Sequence, residues 1–371
     1  MTIRGPYLLT VIVSVLLIFV GHKIVASGIG IFQNTSQEVV KAKVQKVIEQ
    51  VAPLDTFMPD QGNKIIFEAE ITSGTRKGTV VTASQNLNSF SRVTAKEAST
   101  GDSILLISMN DEWFFNGYSR TNQLLALGLL FVVCVLVFGG KKGFNTILSL
   151  SLTCAAVFAV FMPSILSGKN IYVMSLLVCA YTIIMTLLLV IGFNKKSLAA
   201  AVGCLSGLGV SGIITVIMDR VLLLTGIIDE HSRYLANLPL ENPINLRAII
   251  FAGIIIGAMG AVEDVATSIA SSLWEIKEKA GKIKFDALFR SGITIGRDIM
   301  GSMANTLILA YIGSSLSVVL ILSVFSGSLL ALFNMEMIVV EILQALIGSL
   351  GILFAMPLTA LFCAIFYLKK G

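Results

Sequence analysis

Charge is scarce in this chain. Only 13% of its residues are Asp, Glu, Lys or Arg, 55% are hydrophobic, and the mean hydropathy is +0.87. That balance excludes a water-soluble globular domain and places most of the chain in a bilayer as an α-helical polytopic membrane protein. Imidazole is scarcer still, with His22 and His231 the two histidines. Five cysteines (Cys134, Cys154, Cys179, Cys204 and Cys363) sit inside apolar runs without CxxC spacing, so free thiols are expected and a zinc site is not. HExxH, GxSxG and a paired catalytic Asp motif are also missing; the expectation is a protein that is not an enzyme and has no cofactor. The net charge of +5 does not imply nucleic acid, because most basic residues lie in short connections between apolar runs, where membrane topology accounts for them.

The apolar runs divide the chain. The first, Pro6 to Val20, follows Arg4 and is roughly 15 residues long, short for a spanning helix and suited to a signal core. Val25-Ala26-Ser27 is a passable cleavage match, whereas Ile24 to Phe32 adds apolar length, so residues 1–32 are read as an uncleaved signal anchor. Residues 33–121 are polar and β-branched, with period-two patches at Ile65 to Ile71 and Thr79 to Thr82, a hairpin turn between Gly74 and Gly78, and the strand-like Ser103 to Ser108. They predict a small β-rich extracytoplasmic domain, a barrel of five or six strands, serving docking or gating. Residues 122–371 carry seven further runs, near 124–138, 144–166, 171–193, 198–224, 246–270, 300–325 and 342–367. Each, with its flanks, can cover the ~20 residues that a hydrocarbon core of ~30 Å demands, which makes eight helices with the anchor.

Basic residues set the orientation. Arg4, Lys141-Lys142, Lys195-Lys196, the Lys277 to Arg290 segment and Lys369-Lys370 fall in alternate connections, and the intervening ones are poorer in Lys and Arg. Both termini are therefore expected in the cytoplasm and the β-rich domain outside. Residues 273–289 place Leu273, Trp274, Ile276, Ile283 and Leu288 opposite Glu275, Lys277, Glu278 and Lys282, the pattern of an amphipathic helix lying on the cytoplasmic surface.

Against this apolar background, four charges stand out: Glu263 and Asp264 in the sixth run, Arg297 and Asp298 at the start of the seventh. Ionisable groups within spans are costly and point to function. Asp264 lies about 18 residues, or roughly 27 Å, from the outer end of its helix. The next helix runs the other way, so Asp264 and Arg297 can meet at one depth. Three acids and one base leave the group net negative, which invites a proton or small cation. Asp298, Ser302, Asn305 and Thr306 share one helix face, with Ser268 on the neighbouring helix; such a stripe can line a wet pathway or serve as packing glue. Charges near a helix end can also snorkel to water, and an Asp–Arg pair can act as a structural staple.

Three long motifs carry a family resemblance. GIIIGAMGAVEDVATSIASSLWEI, SGITIGRDIMGSMANTLILAYIGSSL and GSLGILFAMPLTAL resemble the YibE/F family of bacterial multi-pass membrane proteins, from about Leu124 onward. The resemblance implies architecture and a bacterial cytoplasmic membrane location, without a substrate. It matches the family's acidic position to Asp264; Glu263 departs from the pattern. The order of elements is also similar to that of the proton-driven RND permeases, including the SecD and SecF secretion factors, in which an intramembrane Asp takes up and releases a proton.

The expected function is thus a proton- or ion-coupled transporter or membrane machine with Asp264, Asp298, Arg297 and Glu263 at its coupling site and Asn305, Thr306, Ser302 and Ser268 along its path. The alternative is an assembly or scaffold factor with structural charges. Expected partners are the lipid bilayer, a proton or small cation, an unidentified solute, and a second copy or a partner membrane protein. A cysteine placed at Lys141 should resist a membrane-impermeant thiol reagent in intact cells and react after permeabilisation; labelling in intact cells overturns the orientation.

Overall fold

The computed structural model describes residues 4–26, 38–51, 63–87, 96–240, 242–325 and 327–368. Ser27 of the cleavage match and the Lys369-Lys370 pair lie outside them. The chain divides into two compact units, Gly30–Val135 and Met1–Ile29 with Leu136–Gly371.

In the smaller unit, β1 (Val39–Val51), β2 (Asn63–Ile71), β3 (Val80–Leu87), β4 (Ser103–Met109) and β5 (Glu112–Tyr118) form a closed barrel in the order β1-β2-β3-β5-β4. β3 and β5 run parallel; the other neighbours are antiparallel. The alternation read from Ile65 to Ile71 is the reason for closure: Ile65, Phe67, Ala69 and Ile71 are fully buried, with partly exposed residues between them. Closing the sheet removes the edges that would otherwise recruit other strands, as in five-stranded Greek-key barrels of the OB kind. The segment entering β4 is clipped by Lys96, which donates to both Asp102 oxygens at 2.8 and 3.0 Å, while the Ser99 amide donates to the same carboxylate at 3.0 Å. The Lys96 hydrogen bond holds the Asp102 carboxyl below its ordinary range.

The larger unit is helical. Its elements are α1 (Arg4–Ala26), the end of α2 (Thr121–Ala156), a π-helical turn at Val157–Phe161, α3 (Met162–Leu166), α4 (Ile171–Val190), α5 (Lys195–Val221), α6 (Glu230–Ala236), α7 (Leu246–Ala280), α8 (Phe285–Phe325), α9 (Leu329–Phe333) and α10 (Glu336–Leu368). Among the described residues seven helical segments are long and apolar enough to cross a membrane, and one of them, Thr121–Leu166, holds two helices, which accommodates the expected runs at 124–138 and 144–166. They are parted at Gly140, whose φ of 53° and ψ of −127° lie outside the helical region, a conformation open to glycine at little cost.

α5, α7 and α10 form the core. A Cβ on Gly207 of α5 would lie 2.7 Å from Ala355 Cβ on α10, so these backbones are nearly in contact, as small residues permit in membrane bundles. α7 lies against both, with Ile254, Ile255, Ala258, Val262 and Val265 fully buried. α1 is fastened laterally: Tyr7 Oη donates to Asn145 Oδ1 at 3.0 Å, and Asn145 Nδ2 donates to the Leu189 carbonyl at 2.9 Å.

Residues 273–289 do not form the separate surface helix expected of them. α7 continues to Ala280, Gly281 turns the chain at φ 64°, and α8 begins at Phe285. With 35 and 41 residues, these helices are about 52 and 61 Å long at 1.5 Å per residue, well beyond a hydrocarbon core of ~30 Å. The apolar residues are used inside this hairpin. Leu273 and Leu288 are fully buried, and Trp274 packs edge-on against Tyr367, centroids 5.0 Å apart, whose hydroxyl donates to the Ala270 carbonyl at 2.9 Å. The polar residues pair along the outside, as in Lys279–Glu275 at 2.7 Å.

Asn145→Leu removes the bridge between α1, α2 and α4 and is expected to destabilise the protein by about 0.6–2 kcal/mol, the range for polar contacts between membrane helices. Tyr7→Phe should cost less. Thermal unfolding in detergent measures both; an unchanged Asn145→Leu midpoint means that apolar packing alone holds α1.

Candidate functional site

The acidic pair lies on α7, one residue apart, and therefore points in two directions. Glu263 is half-buried and Asp264 is exposed. Both are within electrostatic reach of Cys204, a fully buried thiol on α5, with Glu263 acting on it more strongly. Glu263 thus leans into the bundle. Among the described residues neither carboxylate has a hydrogen bond or an ion pair.

The expected Asp264–Arg297 pair is not formed: the four ion pairs among the described residues are Arg76–Glu38, Lys96–Asp102, Arg247–Asp219 and Lys279–Glu275. Leu273 and Ile269 of α7 stand beside Gly292 and Gly296 of α8, and counting along the antiparallel hairpin brings Asp264 level with Gly301. Arg297 is four residues away, about 6 Å of helix, and both side chains are exposed.

Asp298, Ser302, Asn305 and Thr306 do share a face of α8, and that face is exposed, as is Arg297. The hydroxyls turn back onto their own helix: Ser302 donates to the Ile299 carbonyl at 3.0 Å and Thr306 to the Ser302 carbonyl at 2.8 Å. Ser268 on α7 is half-buried. The structure therefore sets Glu263 toward α5, leaves Asp264 exposed, and sets Arg297, Asp298, Ser302, Asn305 and Thr306 on the outer surface of α8.

A second polar group lies on α8's inner face, and the sequence reading passed over it. A Cβ on Gly257 would lie 2.7 Å from Tyr311 Oη and 3.4 Å from Gln344 Nε2 of α10. Two polar side chains converge over a glycine between three helices. The Tyr311 hydroxyl is buried beside Gln344, and that of Ser315 one turn along α8 is buried without a partner among the described residues. Glu341 precedes Gln344 by one turn on α10. The signal was present as i, i+4 and i, i+3 spacing in two apolar helices, but Gly257 reads as a packing glycine and Glu341 as an interfacial charge until α8 is placed between them. At the first residue of α10, Glu336 accepts from the Thr225 and Gly226 amides at 2.8 and 2.6 Å and from Thr225 Oγ1 at 2.8 Å, which spends that carboxylate on the loop after α5.

Among the described residues no group of three or more His, Cys, Asp or Glu side chains is arranged to hold a metal ion. The site's chemistry is that of oxygen ligands: two unpaired carboxylates, an amide and free hydroxyls, suited to a proton, water or a hard cation.

Gly257→Ala drives a methyl group against the Tyr311 hydroxyl and is expected to destabilise by about 1–3 kcal/mol. Adding Tyr311→Phe, which removes the clashing oxygen, should recover part of the loss. A double-mutant cycle on thermal unfolding checks this; a silent Gly257→Ala, or additive losses, removes Tyr311 from the contact.

Comparison with curated proteins found no match. Comparison with solved structures found none either, so the likeness to the RND permeases remains one of element order. A family match runs from within α2 through α10: residues 127–369 match the YibE/F-like protein family, and the chain belongs to that family.

Proposed function

We propose that this protein is a proton- or ion-coupled transporter, or part of a membrane transport machine, in the bacterial cytoplasmic membrane with both termini in the cytoplasm. The observation that carries the reading is the pair Glu263 and Asp264: two adjacent carboxylates in a helix apolar enough to span, with no cationic partner among the described residues. An ionised group in apolar surroundings is costly unless it is paired or neutralised. A stable fold has no use for two such groups left unpaired, whereas a site that binds and releases a proton or small cation needs them so.

Glu263 takes a larger part than its place in the family pattern suggests, because it is the more enclosed of the two and faces α5. Asp264 is the site's exposed member, open to exchange. Arg297 and Asp298 sit nearer the lysine-rich ends of the helices and act on the field around the acids without contacting them. Tyr311, Ser315 and Gln344 offer hydrogen-bonding groups toward the opposite end, on the side of the bundle where α7 and α10 begin. The competing reading, an assembly factor stapled by internal charges, lacks support from an Asp264–Arg297 pair.

Reconstituted in liposomes, the wild-type chain should show solute flux that depends on a pH or cation gradient. Asp264→Asn and Glu263→Gln should bring it down to the level of empty liposomes at unchanged yield and folding. Absence of gradient-dependent flux for every solute tried, or full flux in both variants, overturns the proposal. If the acids are staples instead, Asp264→Asn loses folded protein and Arg297→Gln restores it.

A further inference from the structure

The outer surfaces of most helices in the bundle are what a lipid environment requires. α5 presents Leu198, Ile213 and Ile217, and α10 presents Ile342, Leu346 and Leu353, all exposed. One surface breaks the rule. On α7 the exposed residues at spacings of four, three and four are Gly253, Gly257, Gly260 and Asp264, and on α8 they are Arg297, Asp298, Gly301, Ser302 and Asn305. Nothing lies within 4 Å of a Cβ built on Gly253, Gly260 or Gly301, so this surface is bare backbone set between charged and amide side chains. Intramembrane ionisable groups almost always face protein or a water-filled cavity. Here they face neither within the single chain.

We infer that a second copy of this chain covers the α7–α8 surface and completes the acidic site. The charges identify the occupant. Arg297 and Asp298 are neighbours of opposite sign, and neither has a partner among the described residues. A two-fold axis along the membrane normal sets Arg297 of each copy beside Asp298 of the other at the same depth, a self-complementary arrangement that an isologous interface requires. The exposed glycines allow the two backbones to approach as small residues do between membrane helices. Because Asp264 comes level with Gly301, one turn from Arg297 and Asn305, the same contact roofs Asp264, and the coupling ion is enclosed between copies. The identity of that ion rests on the proposed function; the interface itself does not.

The test reads mass and proximity, so it stands whether or not flux is ever found. In native membranes, with the five native cysteines replaced, Gly301→Cys and Asn305→Cys should each give an oxidatively cross-linked species of twice the chain mass, and Ile217→Cys on the apolar surface of α5 should not. Arg297→Asp should convert the purified dimer to monomer, and adding Asp298→Arg should restore it, since the swapped pair is again self-complementary. Monomeric mass for the wild type overturns the inference, with lipid headgroups then the cover. Equal cross-linking at Ile217, a cross-linked product of another mass, or failure of the double swap to restore the dimer also overturns it.

Discussion

The near-contact of α5 with α10 governs the larger unit. With no Cβ at Gly203 and Gly207, α5 lies against the backbone of α10 around Ala355 and Thr359, and a side chain at Gly207 would meet Ala355 at 2.7 Å and the Gly351 carbonyl at 3.1 Å. Between membrane helices, dispersion across such close surfaces replaces the hydrophobic drive that water supplies to soluble cores. α7 follows from it. Val262 packs toward Gly351, and Phe251 and Ile255 toward Gly212 of α5, which fixes the rotation of α7 about its own axis. That rotation decides the fate of the acids. With Val262, Val265 and Ala266 turned inward, Glu263 is left at the α5 edge and Asp264 is turned out.

The same constraint explains the hairpin. α8 meets α10 through Gly292 and Gly296, where a Cβ on Gly292 would lie 2.6 Å from Ala360 Cβ. Among the described residues no helix of the larger unit packs against its opposite face. The outward position of Arg297, Asp298 and Asn305 is therefore a consequence of which glycines touch α10. An amphipathic helix laid on a bilayer surface would bury its apolar stripe in lipid; here Leu273 and Leu288 bury one another's helices instead, and Tyr367 at the end of α10 closes the junction by reaching the Ala270 carbonyl.

Much of this was legible from residue order. Composition pointed to a membrane protein, the apolar runs fell on the long helices but missed the last 10 residues of α7 and the first 15 of α8, and period-two alternation at Ile65 to Ile71 and Ser103 to Ser108 found β2 and β4. β1 and β5 were passed over. β1 is rich in lysine and carries register shifts near Lys46 and Glu49, which blur its alternation, and β5 holds Gly117 within Glu112–Tyr118. The runs at 124–138 and 144–166 fall on the two helices that Gly140 parts, since a φ of 53° and ψ of −127° lie outside the helical region. The amphipathic stretch misled because a period of 3.6 states only that one face is apolar, not whether lipid or protein receives it.

The site was legible to the same depth and no further. Glu263, Asp264, Arg297 and Asp298 are conspicuous in apolar segments, and the hairpin brings Asp264 within about a turn of Arg297, but no ion pair joins them among the described residues. Depth along a helix follows from counting; azimuth follows from packing, and azimuth decides whether a charge is a staple, a ligand or a contact. Glu263 illustrates it. One position from Asp264, it has the same depth and an opposite environment, because 100° of helical rotation carries a side chain from the outer surface to the α5 interface. A family position alone ranks Asp264 first, whereas burial ranks Glu263 beside it. In the proposed function the two divide the work of one site, the enclosed acid holding charge within the bundle and the outward acid meeting the surface that closes over α7 and α8.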